Sequence, residues 1–387
     1  MNKHFGFIIR MGLVFIFGLL VVIVWQPACG KIVEDVIGGG ESEQAGSAPS
    51  TIAGESITSS TLTATTTSLA PTTTGPNLYD VRFNQDGNVG IACGEQGTVL
   101  RTTNGGATWS IYEPADGSLS RYDEETFYWC YSGHGMQDSD SALLGTDGTW
   151  LLSHNNDDGW FQVDSIKDLD VTETIYGEDM ISQVNYLATA SNGELYRSLN
   201  YHEGFSKIES GTRADLYCHA SNGDTVVVVG ANGTILRSTD IGLTFSTVSE
   251  GTYPDLYRVA YDETTSLFLA IGAGGTFLSS TDGLSWQNYI DVPNDVTLYN
   301  FGLMNNLVLL VGSNGTVLVS RDRVNLTAID TRTTVNLRAM ESINGGRTAF
   351  VVGDNLTVLK TTNSGAIWQL STDGGQTWSD SWAVTLP

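Results

Sequence analysis

From residue 77 onward the chain repeats itself, and a repeat constrains a fold strongly because every unit must meet its neighbours in the same way. Seven times a Ser or Thr is followed two residues later by Asn or Asp: Thr102 and Asn104, Ser153 and Asn155, Ser198 and Asn200, Ser238 and Asp240, Ser280 and Asp282, Ser320 and Asp322, Thr361 and Asn363. Successive units are 51, 45, 40, 42, 40 and 41 residues apart. An aromatic residue stands seven positions after the hydroxyl at Trp109, Trp160, Phe205, Phe245 and Trp368; two units lose one residue and place Trp286 and Leu326 six positions on.

The first unit shows what such a repeat builds. Leu78-Tyr79-Asp80-Val81, Ile91-Ala92-Cys93-Gly94 and Gly97-Thr98-Val99-Leu100-Arg101 are apolar runs separated by Gly-containing turns, and a fourth run starts at Trp109. Four short strands in succession read as an antiparallel meander. A lone four-stranded sheet cannot bury both faces, so units of this length stack around an axis until the ring closes. The expectation is all-β: a seven-bladed β-propeller of four-stranded antiparallel blades over residues 77–387. Composition agrees, with 44 Gly, only 8 Pro and many Thr and Val suited to short strands and tight turns.

The recurrent motif has a local physical reason. The Asx side chain accepts backbone N–H groups inside the turn between the third and fourth strands, the hydroxyl supports it, and glycine supplies the backbone freedom. The aromatic packs its face beneath the turn. Asn104, Asn155, Asn200, Asp240, Asp282, Asp322 and Asn363 are therefore structural positions. An eighth copy with Asp373, Ser371 to Trp378, follows the seventh after only 10 residues, too few for another blade. Residues 367–387 read as a C-terminal hairpin that lengthens or seals the last blade beside the first, with an eighth partial blade as the less favoured alternative.

Ser/Thr-x-Asp-x-Gly-x-Thr-Trp resembles the Asp box, or BNR repeat, of sialidases and several non-enzymatic propellers. With Gly94-x-x-Gly97-Thr98-Val99-Leu100 ahead of it, the unit is most similar to the photosystem II stability/assembly factor-like family, over about residues 77 to 370. That resemblance implies a binding or assembly role. A sialidase would need a Tyr nucleophile, an Asp acid/base and three arginines on the sugar carboxylate, usually with a Phe/Tyr-Arg-Ile-Pro motif. Arg82 stands in Val-Arg-Phe-Asn, Arg258 in Tyr-Arg-Val-Ala and Arg338 in Leu-Arg-Ala-Met, so the motif is missing.

Other chemistry is equally hard to find. The histidines, His4, His134, His154, His202 and His219, have no metal-ligand spacing, and no Gly-x-Ser-x-Gly elbow occurs. Asp138-Ser139-Asp140 and Asn155 to Gly159 read as solvated turns rather than Ca²⁺ loops. Asn232, Asn314, Asn325 and Asn355 each open an Asn-x-Thr triplet, read as repeat grammar rather than as glycan acceptors. No catalytic residue, metal or cofactor is expected, and a glycan-active hydrolase with an unrecognised site is the alternative reading.

One feature stands apart from the turn grammar. The first strands open with Leu78-Tyr79, Phe127-Tyr128, Ile175-Tyr176, Leu216-Tyr217, Leu256-Tyr257, Leu298-Tyr299 and Leu337-Arg338. Tyr79, Tyr128, Tyr176, Tyr217, Tyr257, Tyr299 and Arg338 would line the start of the central channel, either as packing between blades or as a mouth that binds a protein or glycan.

The N-terminal part addresses location. Lys3 and Arg10 precede an apolar run from Met11 to Trp25, and Cys29 follows Ala28. This is an export signal in outline, too short for a full span. Residues 1–29 resemble a lipoprotein signal with Cys29 as the lipidated residue, an uncleaved anchor and a plain secreted form being the alternatives. Residues 30–76, rich in Gly, Ser and Thr, read as a disordered tether. The expectation is an exported, membrane-anchored monomer facing the periplasm or cell surface, on the outer membrane if the cell has two. With 43 acidic against 18 basic residues and a net charge of -25, nucleic acid is an unsuitable partner. Cys93, Cys130 and Cys218 read as buried free thiols, with a Cys93–Cys130 bridge as the leading alternative.

Overall fold

The computed structural model describes Lys31–Ile32 and residues 74–386, except 115, 133–140, 154–159, 163–170, 183–184, 200–203, 252, 290–291, 305–306 and 323–324. The expected lipidation at Cys29 and the Asx positions Asn155 and Asn200 lie outside the described residues.

Seven sheets follow one another, each built on an antiparallel meander of four consecutive strands and two of them carrying a fifth, and together they form a seven-bladed β-propeller. Blade 1 starts at Leu78–Phe83, blade 2 at Phe127–Ser132, blade 3 at Ile175–Ser182, blade 4 at Leu216–Ser221, blade 5 at Leu256–Asp262, blade 6 at Leu298–Met304 and blade 7 at Leu337–Ile343. Second strands such as Val226–Gly230 are buried at every residue because both faces of a blade pack on neighbours. Their sequences are accordingly continuous apolar runs, without the alternation of a half-exposed strand. The outermost strands are short and exposed, as at Ser110–Ile111.

The core is divided rather than central. Seven apolar clusters each combine residues of two adjacent blades, such as Val229 and Phe268 between blades 4 and 5. Leu195 and Val228 join blades 3 and 4. Burial of this kind exists only between stacked units, which is why the ring must close.

Closure joins blade 7 to blade 1 without exchange of a strand. Phe83 and Phe350 stack at 4.9 Å, and Phe83 meets Trp109 edge-on at 5.5 Å. The Arg82 guanidinium lies 2.8 Å from Glu341 of blade 7 and 3.2 Å from Asp80, whose other oxygen accepts the Cys130 N–H of blade 2 at 3.2 Å. Three blades are thereby tied by one buried polar chain.

The eighth motif completes this junction. Ile367–Ser371 is the outer strand of blade 7, and Trp382–Ala383 adds a fifth strand to it. The intervening turn leans on blade 1: the Trp109 N–H donates to the Gly375 carbonyl at 3.3 Å, and the Trp378 ring N–H donates to Ala107 at 3.1 Å. No eighth blade forms among the described residues.

The turn motif has the geometry its chemistry requires. In blade 4, Asp240 Oδ1 accepts the N–H groups of Leu243 and Thr244, while the Ser238 hydroxyl accepts that of Gly242 at 2.9 Å. Blade 5, one residue shorter, shifts the pattern: Ser280 accepts from Gly283, three residues on, and Asp282 from Leu284 and Ser285. Asn232, Asn314 and Asn355 all adopt positive φ in the turn between second and third strands, in keeping with a turn role for their triplets.

One sequence expectation is refined by the structure and another is met. Within the segment expected to lack regular structure, Lys31–Ile32 pairs in parallel with Tyr261 and Asp262, because the channel-side edge of blade 5 presents unpaired backbone groups. Cys93, Cys130 and Cys218 are all buried free thiols, so the Cys93–Cys130 bridge is not formed. Cys93 instead meets the Phe127 carbonyl and Cys130 the Ile91 carbonyl, both at 3.7 Å.

Candidate functional site

Every first strand carries a register shift immediately after its opening residue. The ladder passes from Leu78 to Asp80, Phe127 to Trp129, Ile175 to Gly177, Leu216 to Cys218, Leu256 to Arg258, Leu298 to Asn300 and Leu337 to Ala339. The skipped residue is the expected Tyr or Arg in all seven blades. A residue left out of the ladder is free to turn away from the sheet. The bulge thus turns each of these side chains away from its sheet and toward its counterparts on the adjacent blades.

The result is a continuous ring. Tyr79 and Tyr128 have centroids 4.9 Å apart, Tyr128 and Tyr176 5.2 Å, Tyr176 and Tyr217 5.0 Å, Tyr217 and Tyr257 5.5 Å, Tyr257 and Tyr299 5.5 Å. Arg338 closes it, its guanidinium 5.0 Å from the Tyr299 centroid and 4.9 Å from that of Tyr79. All seven side chains are partly exposed. Separations of this size are those of favourable aromatic and cation–π pairs, so the ring is a stable element in itself.

Carboxylates surround it at the hydroxyl edge. Glu95 accepts the Tyr79 hydroxyl at 2.9 Å, Asp215 that of Tyr176 at 3.4 Å, and Asp255 that of Tyr257 at 3.5 Å. Arg338 donates to both oxygens of Asp354, at 2.6 and 3.3 Å. Asp215 and Asp255 each use their second oxygen to accept a backbone N–H of the preceding blade, from Asn192 at 2.9 Å and Asn232 at 2.8 Å. Asn336 and Asn77 do the same for Asn314 and Asn355. This collar was not anticipated, although Asp215-Leu216-Tyr217 and Asp255-Leu256-Tyr257 recur in the sequence and could have signalled it.

The electrostatics keep the hydroxyls protonated. Burial first, then the bond to Glu95, pushes Tyr79 up to about 12. Burial and the Asp255 charge push Tyr257 up to about 12 as well. Tyr176 and Tyr217 are raised by burial first and then by a neighbouring carboxylate, Asp215 for Tyr176 and Asp255 for Tyr217. These groups donate hydrogen bonds and present π-faces; they are not poised as nucleophiles, which need a lowered value.

The ring and the motif that reveals the fold occupy opposite faces. In a meander the first strand opens at one face, so the turn between first and second strands and the turn between third and fourth share the other. The bond from the Gly105 N–H to the Asn88 carbonyl joins those two turns directly. Asn104, Asp240, Asp282, Asp322, Asn363 and Asp373 therefore lie away from the mouth, and their side chains accept N–H groups of their own turns. Among the described residues no group of His, Cys, Asp and Glu is arranged to hold a metal.

No protein-family model matches the sequence, and no curated protein matches it either. Solved structures do resemble it. YCF48 bound to D1 peptide is 14% identical with a TM-score of 0.60, over 75% of this chain and 93% of that one. YCF48 from Cyanidioschyzon merolae is 17% identical with a TM-score of 0.59, over 75% and 97%. The GH74 xyloglucanase from Xanthomonas campestris is 12% identical with a TM-score of 0.54, over 75% of this chain and 52% of that one. At these identities the likeness is one of fold, and what it establishes is that the chain is a seven-bladed propeller.

Proposed function

We propose that this Asp-box propeller is a non-enzymatic scaffold, exported and tethered through residues 1–76, that presents its tyrosine-lined mouth to a protein partner in the cell envelope. The observation that carries the reading is the ring itself: six rigid amphipathic tyrosines and one arginine, turned out of the sheets by seven bulges and left partly exposed at one end of the channel. Tyrosine supplies contact area and a hydrogen-bond donor at little entropic cost, and so it anchors interfaces. A structural neighbour, YCF48, is bound to D1 peptide, a precedent for peptide capture by a propeller of this kind. The sequence resemblance to assembly-factor propellers points the same way. The raised tyrosine values argue against a tyrosine nucleophile and thus against sialidase chemistry.

The test uses the full chain as bait for envelope extracts, beside a variant with Tyr217→Ala, Tyr257→Ala and Tyr299→Ala. The side chains lie outside the ladder, so the propeller should still fold, with a melting temperature lowered by the lost ring contacts, while partner capture is lost. Capture unaffected by the triple variant would remove the ring from consideration. A glycan array run with a hydrolysis assay on the same sugars should show no turnover; measurable turnover would sink the non-enzymatic reading.

A further inference from the structure

We infer that the mouth selects a cationic segment, taking an arginine or lysine side chain of an extended protein partner over the tyrosine faces between blades 3 and 5. The inference rests on the docking role proposed above and adds the partner's charge to it. The molecule already displays the mode of binding. Arg338 sits between Tyr79 and Tyr299 with its guanidinium near both centroids, and Asp354 holds it with two bonds. A guanidinium between two tyrosine faces with a carboxylate behind it is thus one of the ring's own seven positions.

The same parts recur across the channel. Tyr176, Tyr217 and Tyr257 are successive members of the ring, at 5.0 and 5.5 Å. Asp215 lies on the Tyr176 hydroxyl and Asp255 on that of Tyr257. Both aspartates also raise the Tyr217 hydroxyl, behind burial as the leading cause, so both fields reach the middle of this sector. Each oxygen of the two carboxylates accepts one hydrogen bond among the described residues, which leaves lone pairs for an incoming donor. A tyrosine face attracts a cation, and a carboxylate at its edge adds directed hydrogen bonds to a guanidinium. An anionic or purely apolar segment would gain neither and would meet two charges of the wrong sign or without a partner. The net charge of -25 steers cationic partners toward the molecule from a distance.

The experiment is a fluorescence-anisotropy titration of the full chain with two labelled Gly/Ser peptides, one carrying four arginines and the other four glutamates at the same positions. Three proteins are compared: the native chain, Asp215→Asn with Asp255→Asn, and Asp240→Asn with Asp282→Asn. The second keeps the backbone-accepting oxygen, and asparagine already fills that position at Asn77 and Asn336, so its melting temperature should be unchanged. The third makes an equal charge change on the opposite face. The expected result is binding of the arginine peptide alone, weakened at least roughly tenfold by the mouth variant and little by the opposite-face variant. Failure of the arginine peptide to bind, equal binding of the glutamate peptide, or equal weakening by both variants would overturn the inference. If the triple tyrosine variant loses its captured partner while Asp215→Asn with Asp255→Asn keeps it, the docking role stands and the charge selection falls. If neither loses it, both fall.

Discussion

At the scale of the residue, Asp240 shows how one side chain can organise a turn. Burial works against its charge, but bonds from the Ser238 and Thr244 hydroxyls and from the Thr244 and Leu243 N–H groups prevail and hold the carboxyl at about 2. Replacement by alanine should cost about 1 kcal/mol in chemical denaturation, the usual loss when a turn or cap acceptor is removed. Asparagine should cost less, since Asn104 and Asn363 serve the same turn in blades 1 and 7. The pH dependence follows from the sign of the shift. A carboxylate lowered in the folded state lends stability above its unfolded value of 3.8, and that contribution is lost as pH falls toward 2. The difference between native and Asp240→Ala melting temperatures should therefore persist at neutral pH and shrink below 3.8. A difference that is constant with pH would show that the charge has no part in it.

At the scale of the element, each blade is a meander whose first strand is bent by a bulge and whose last strand is short. The bulge aims the mouth side chains, and the short outer strands leave little edge for another chain to pair with. Blade 7 departs from this plan by carrying a fifth strand, and the reason lies in the packing of Trp382. Its ring is 6% exposed, stands among Trp368, Leu370 and Val319, and donates to the Asp330 carbonyl at 2.9 Å. Arg332 covers it at 4.5 Å. Trp382→Ala should destabilise the protein by about 3 kcal/mol and release the terminal hairpin to exchange and proteolysis. Retention of native stability would mean that the fifth strand is only decoration.

At the scale of the whole molecule, stability depends on closing the ring between blades 7 and 1. Glu341, Arg82, Asp80 and the Cys130 N–H form a chain across three blades, with the Arg82 and Asp80 side chains 10% and 5% exposed. Burial raises both carboxyls, and Arg82 opposes that rise in each. Arg82→Met leaves two buried carboxyls facing each other and should cost about 3 to 5 kcal/mol at neutral pH, measured by unfolding in denaturant. The number of blades, their four-strand meander and the place of the tyrosines and Arg338 at the openings of the first strands were legible in the sequence. Each depends on contacts within one unit of about 40 residues, and the repeat states them seven times. Other features had no such local pattern. That Arg338 would stand between Tyr299 and Tyr79 and that the eighth motif would dock on Ala107 follow only from closure. Closure brings the first and last blades side by side and sets equivalent positions of all seven around one axis. The repeat specified the blade, and the geometry of the closed ring decided what the seven blades hold between them.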